Sequence, residues 1–310
     1  MKTNYASISN EYAKKETSKV VVIPVPYKGT NTWQQNSHKG PQAFLEASNH
    51  MELYDIETES EVYKQGIYLA DEVVENNNPE AMSAAVYENV KSHLKTNKFV
   101  SVIGGDHAVV IGAIKAFNEH YENLTVLQID AQARLHKEVN GEKVNSQCAM
   151  YHASQATNLI QVGIRSMASI EKTVLDTDKA FFANELATDD YWMENAIEAM
   201  TDNVVISLSL DGLDPSIMPG VDKPVPGGLF WYEILEFLKS VFAEKNVIGI
   251  NLVGLSPLEA DKSSEALAAK LFYKMLSYKY ELEKEDNLDI DENSFAKSEN
   301  KFGKFNDEDE

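Results

Sequence analysis

Residues 203–215 read NVVISLSLDGLDP. A run rich in Val, Ile and Leu, without strict apolar–polar alternation, stops abruptly at Ser209, Asp211 and Asp214. That is the pattern of a strand buried on both faces whose carboxyl end is polar. The same pattern recurs in KVVVIPVP (19–26), FVSVIGG (99–105), LTVLQID (124–130), NLIQVGI (158–164) and VIGINLVGL (247–255). Between these runs, stretches 81–95, 108–120, 191–200, 231–244 and 264–280 carry apolar residues at helical spacing. Strand–helix alternation predicts an α/β fold, a three-layer αβα arrangement around a doubly wound, mostly parallel sheet. PGVDKPVPGG (219–228) is expected to form a long loop.

Composition narrows the function classes. Lys and Arg total 28 against 49 Asp and Glu, a formal net charge of −21 over 310 residues. So acidic a chain has no footprint for nucleic acid or for an anionic membrane surface. No apolar run reaches the roughly 18 residues of a membrane-spanning helix, and the first twenty residues lack the apolar core of a signal peptide. The single cysteine, Cys148, excludes an intrachain disulfide and a thiolate zinc cluster. A cytoplasmic location is expected. The predicted organisation is an N-terminal arm (1–18), one domain (19–281) and an acidic, disordered tail (282–310).

In open parallel sheets, ligands bind beyond the carboxyl ends of the strands. Asp106-His107 follows the run at 99–105, and Asp130 is followed by Gln132 and Arg134. Ser209 and Asp211 end the run at 203–211, and Gly254 through Pro257 end the last. A helix cap or a turn explains any one of these, and for Asp214 before Pro215 it is the preferred explanation. Three ionisable groups, His107, Asp130 and Asp211, on neighbouring strand ends point to a site.

Five motifs occur together in order: Gly-Gly-Asp-His (104–107), Asp-Ala-Gln-Ala-Arg (130–134), Asn-Ser-Gln-Cys-Ala (145–149), Ser-Leu-Ser-Leu-Asp-Gly-Leu-Asp-Pro (207–215) and Leu-Ser-Pro-Leu-Glu (255–259). In this the chain resembles the ureohydrolases, the family of arginases, agmatinases and formimidoylglutamases. Ile23 to Tyr27, Gly29-Thr30 and Gly40-Pro41 look agmatinase-like. The resemblance implies an arginase-type sheet and hydrolysis of a guanidinium by a two-manganese centre, in which four Asp and two His hold the metals and a bridging hydroxide attacks. Carried over residue by residue, it gives remnant ligands His107, Asp130 and Asp211. Gln132, Arg134 and Ser209 stand where the family has His, Asp and Asp. Gln147 replaces the acid/base His and cannot transfer protons near neutral pH. Asn251 and Gly254 stand at the family's Asp-x-x-Glu, whose Glu pairs with substrate.

Neither metal keeps a closed ligand set, and Arg134 adds a fixed positive charge. Arg134 is therefore predicted to salt-bridge Asp130 or Asp211 in the metals' space. His136 and His152 are expected at the surface, and Cys148 as a small buried apolar residue. The expected function is an inactive regulatory or structural subunit with no cofactor, a homo-oligomer or a hetero-oligomer with an active ureohydrolase paralogue. Two alternatives stand beside it. One is an active, urea-releasing, agmatinase-like hydrolase with a rebuilt site, for instance with His136 added, which alone would require Mn2+. The other is a metal-free binder of a cationic amine or guanidine.

Overall fold

The apolar runs form the six long strands of a single sheet, seen in a computed structural model that describes residues 4–29, 36–75 and 77–286. In chain order the strands are β1 (Val20–Val25), β2 (Ile67–Leu69), β3 (Phe99–Gly104), β4 (Leu124–Ile129), β5 (Asn158–Ile164), β6 (Ala180–Phe182), β7 (Asn203–Ser209) and β8 (Asn246–Val253). The order across the sheet is β2-β1-β3-β8-β7-β4-β5-β6, and every pairing is parallel. β2 and β6 were not anticipated from sequence. Each is three residues long and lies at a sheet edge, where one partner suffices and no continuous apolar run is needed.

The helices are α1 (Gly40–Ser48), α2 (Pro79–Leu94), α3 (Val109–His120), α4 (Tyr151–Ala156), α5 (Ala183–Leu186), α6 (Trp192–Glu198), α7 (Trp231–Glu244) and α8 (Ser263–Asp286). They cover both faces, which makes the three layers. On one face Phe44, Trp192, Phe237 and Phe272 from α1, α6, α7 and α8 pack against the sheet. On the other, Met82, Val86, Phe117 and Ala153 from α2, α3 and α4 do so. Burial on both faces is why the long strands are almost continuously apolar. No helix among the described residues is long and apolar enough to cross a membrane.

In the N-terminal arm Tyr5, Ala6, Ile8 and Ser18 are buried, with Tyr5 wholly so and edge-on to Phe272. The division drawn after residue 281 falls inside α8, whose backbone runs to Asp286. The remainder of the acidic tail lies outside the described residues. Residues 219–228 form no helix or strand.

The topology positions the site. The chain passes from β3 to β4 leaving room between them, which β7 and β8 later fill. The carboxyl ends of β3, β8, β7 and β4 therefore lie side by side, at the reversal of strand order where open sheets form a crevice.

Candidate functional site

His107 enters from the turn after β3, Asp130 from the end of β4, and Ser209 and Asp211 from the end of β7. All four are buried, and so is Arg134, four residues beyond Asp130. The Arg134 guanidinium lies between the two carboxylates. Its Nε donates to Asp130 Oδ2 at 2.6 Å, its Nη2 to Asp211 Oδ2 at 2.9 Å, and its Nη1 to the Ser146 carbonyl at 3.3 Å. The two bonds to the carboxylates, with both partners charged, are of the stronger sort.

A second set of contacts surrounds this cluster. Ser209 Oγ donates to Asp211 Oδ2 at 3.2 Å and lies 2.7 Å from His107 Nε2. With the hydroxyl proton directed at Asp211, His107 Nε2–H is the donor to Ser209. His107 Nε2 is also 3.3 Å from Asp211 Oδ2. Gln128 Nε2 and the Gln132 backbone N–H both donate to Asp130. Burial would raise the Asp211 carboxyl, but the His107 hydrogen bond and the Arg134 charge outweigh it and hold it below the usual carboxylate range. Burial works against the Arg134 charge too, but Asp130 and Asp211 together more than restore it. Asp106, also buried, is pushed up by desolvation despite accepting from the Ala108 N–H.

The other positions singled out from sequence scatter. Gln132 and Gln147 line a cavity beside Arg134. Asn251 is fully buried on β8, in register with Val102 and Ser207, and its side-chain amide has no hydrogen-bond partner. Gly254 has φ +92°, and a Cβ there would lie 3.1 Å from Ser209 Oγ and 3.4 Å from His107 Cε1. A longer side chain at this position would be strained in backbone and crowded against the cluster. His136 stands apart from the cluster, 3.6 Å from Glu171. His152 lies on α4, edge-on to Tyr151. Cys148 is wholly buried, and burial pushes its thiol up to about 11, which leaves it inert near neutral pH. Asp214 shapes a turn. Its carboxylate accepts from Ser216 and from the Gly227 and Gly228 N–H groups, and the Ser216 hydroxyl foremost holds it at about 2.

Sequence reasoning missed two contributors. Gln128 lies under Asp130 within an apolar run, where nothing marks it. Arg165 follows β5 directly, so the strand-end rule could have found it. It donates to the carbonyls of Asp211, Gly212, Leu213 and Val225 and so ties the loop after β7 to the 219–228 loop.

His107, Asp130 and Asp211 each offer a ligating atom, all within 4.8 Å of one another, the spacing at which one divalent ion is held. Among the described residues no other such group occurs.

The chain matches the Arginase family over residues 18–277. It is 34% identical over 270 residues to an N(1)-aminopropylagmatine ureohydrolase of Synechocystis, covering 84% of this chain and 88% of that protein. To a protein of the same name from Thermus thermophilus it is 32% identical over 268 residues, covering 85% and 91%. The agmatine ureohydrolase of Thermoplasma volcanium superposes with a TM-score of 0.81 at 22% identity, over 92% of this chain and 96% of that one. Trypanosoma cruzi formiminoglutamase with Mn2+2 superposes with a TM-score of 0.76 at 18% identity, over 86% and 94%. At such identities the two structures speak for the fold alone. The family match, which runs from the start of β1 through most of α8, and the two sequence relatives make this chain an agmatinase-like member of the arginase family of ureohydrolases.

Proposed function

We propose that this chain no longer hydrolyses guanidines and acts instead as a regulatory or structural subunit. The observation that carries the reading is Arg134, at 2.6 Å from Asp130 and 2.9 Å from Asp211. A guanidinium stays protonated at any physiological pH. At about 4 Å it repels each unit of metal charge by roughly 4 kcal/mol in a site of intermediate dielectric. The residues present do not fit a pair of manganese ions. Three ligating side chains remain, and the guanidinium supplies counter-charge to both carboxylates. Gln147, where the family has its acid/base His, has no proton to exchange near neutral pH.

A second reading has its own support. His107, Asp130 and Asp211 converge closely enough for one ion if Arg134 withdraws, and the two sequence relatives are named as ureohydrolases. On that reading the chain is an agmatinase-like hydrolase with one metal. A binder of cationic amines is less favoured, because Arg134 already takes both carboxylates. We place the protein in the cytoplasm, in a homo-oligomer or with an active paralogue of the same family.

Urea release from agmatine and from N(1)-aminopropylagmatine, with excess manganese, tests the reading. The expected result is no turnover above the blank, with altered turnover of an active paralogue when the two are co-expressed. Saturable urea release by the isolated chain, lost in Asp130→Asn, would contradict it.

A further inference from the structure

A cavity of about 340 Å³ opens between α1 and the first turn of α8, away from the strand-end cluster. Ala43, Ala47, Met51 and Ala266 give it apolar walls. Two carboxylates, of Glu46 and Glu265, line it beside one ammonium, Lys262, and the His50 ring. Glu265 is only 2% exposed. Its Oε1 accepts from Lys262 at 3.1 Å, and its Oε2 has no partner among the described residues. The Lys262 side chain is itself 73% exposed, so packing does not hold it there. A buried carboxylate oxygen without a donor is costly, and Glu265 is short of one. Glu46 is exposed and spends one oxygen on Gln42 Nε2 at 2.8 Å. These residues do not converge as metal ligands do, since among the described residues only His107, Asp130 and Asp211 form such a group. Carboxylates on apolar walls suit an organic cation instead.

The chain carries such a cation itself. Within its acidic tail stands SFAKSENKFGKF (294–305), where Lys297, Lys301 and Lys304 meet one acid, Glu299, and lie among Phe295, Phe302 and Phe305. An ammonium of this segment can supply the donor that Glu265 lacks while a phenyl ring lies against Met51 and the alanines. The distance is within reach. The α8 backbone runs to Asp286, about 30 Å from Glu265 at roughly 1.5 Å per residue. An extended chain covers about 3.3 Å per residue, so Lys297 and the residues beyond it can return to the cavity. A larger apolar cavity against α3 and α4 has Lys115 and no carboxylate on its wall, which is the wrong charge for this segment. We propose that segment 294–305 docks in the α1–α8 cavity of its own chain, with lysine on Glu265 and Glu46 and phenylalanine on the apolar wall. Tethering keeps the segment at high local concentration, so a weak contact suffices, and salt releases it. Such docking goes beyond the subunit reading above and holds whether or not the crevice binds metal.

Trypsin cleavage after Lys304, in the full chain and in a synthetic peptide of residues 287–310, tests this. The full chain is expected to be cut about threefold or more slowly than the peptide at low salt, because a docked lysine must first leave the cavity. Glu46→Lys, at an exposed position, and Phe302→Ser, outside the described residues, should each bring the rate up toward that of the peptide. Zero-length carbodiimide cross-linking of mixed ordinary and heavy-nitrogen-labelled chains identifies the contact. Links from Lys297, Lys301 or Lys304 to Glu46 or Glu265 should join residues of one isotope only. Equal cleavage of chain and peptide would overturn the proposal, and so would a rate that neither substitution changes. Links that join the two isotopes, or that run from these lysines only to other carboxylates, would overturn it as well.

Discussion

Arg134 has φ +53°, in the left-handed region that a non-glycine residue adopts only when its surroundings hold it there. Its side chain is bonded to Asp130, Asp211 and Ser146, and its carbonyl accepts the Met150 N–H. Replacing it by alanine would leave two carboxylates buried without their counter-ion. Arg134→Ala is therefore expected to destabilise the fold by about 3–5 kcal/mol, read as a shift in the urea midpoint. The same variant frees the space between His107, Asp130 and Asp211. Manganese should then restore part of the lost stability by binding the native state, and should leave the wild-type midpoint unmoved. The Arg134 contact could be expected from sequence because the ureohydrolase resemblance puts Arg134 at a metal-ligand position beside Asp130 and Asp211, and the charge arithmetic then needs no coordinates. The place of Lys223 beside Gln147 at the cavity next to Arg134 could not, because it depends on where the 219–228 loop comes to rest, and no local pattern sets that.

At the scale of elements, the long strands were legible because burial on both faces writes a continuous apolar run. The edge strands β2 and β6 were not, since their three residues gain order from a neighbour rather than from their own pattern. The closeness of α2 and α3 was also hidden. A Cβ at Gly112 would lie 2.1 Å from the Ser83 carbonyl oxygen, so the two helices are in contact through backbone at that point. Gly112→Ala would improve the intrinsic propensity of α3 yet force the helices apart. The steric term dominates, and a net loss of about 1–3 kcal/mol, read as a lower urea midpoint, is expected. An unchanged or higher midpoint would show that the pair separates freely.

Across the whole molecule, an ionic cluster remote from the site joins distant parts of the chain. Lys274 of α8, itself buried, bonds Asp55 at 3.0 Å and also Glu57, and Glu57 in turn receives Lys239 of α7 and Tyr278. Burial would raise the Glu57 carboxyl, but hydrogen bonds from Lys274, Lys239 and Tyr278 lower it from 4.5 to about 2. A carboxyl lowered on folding contributes stability that is fully present above its unfolded value and lost as the pH falls toward its folded one. Part of the acid-side loss of stability, between about pH 4.5 and 2, should therefore belong to Glu57, and the slope of urea midpoint against pH should be shallower in Glu57→Gln. An unaltered slope would mean that solvent screening cancels the contribution of this partly exposed group. The net charge of −21 acts in the opposite sense above neutrality, by self-repulsion that salt relieves.

The proposed loss of activity requires that a guanidinium stand in the place of metal in this arginase-family crevice. Metal stoichiometry tests it most directly, by elemental mass spectrometry on the full chain after incubation with manganese and desalting. Essentially no manganese per chain is expected. One or two ions retained per chain would contradict it, and would mean that Arg134 yields its carboxylates to a metal.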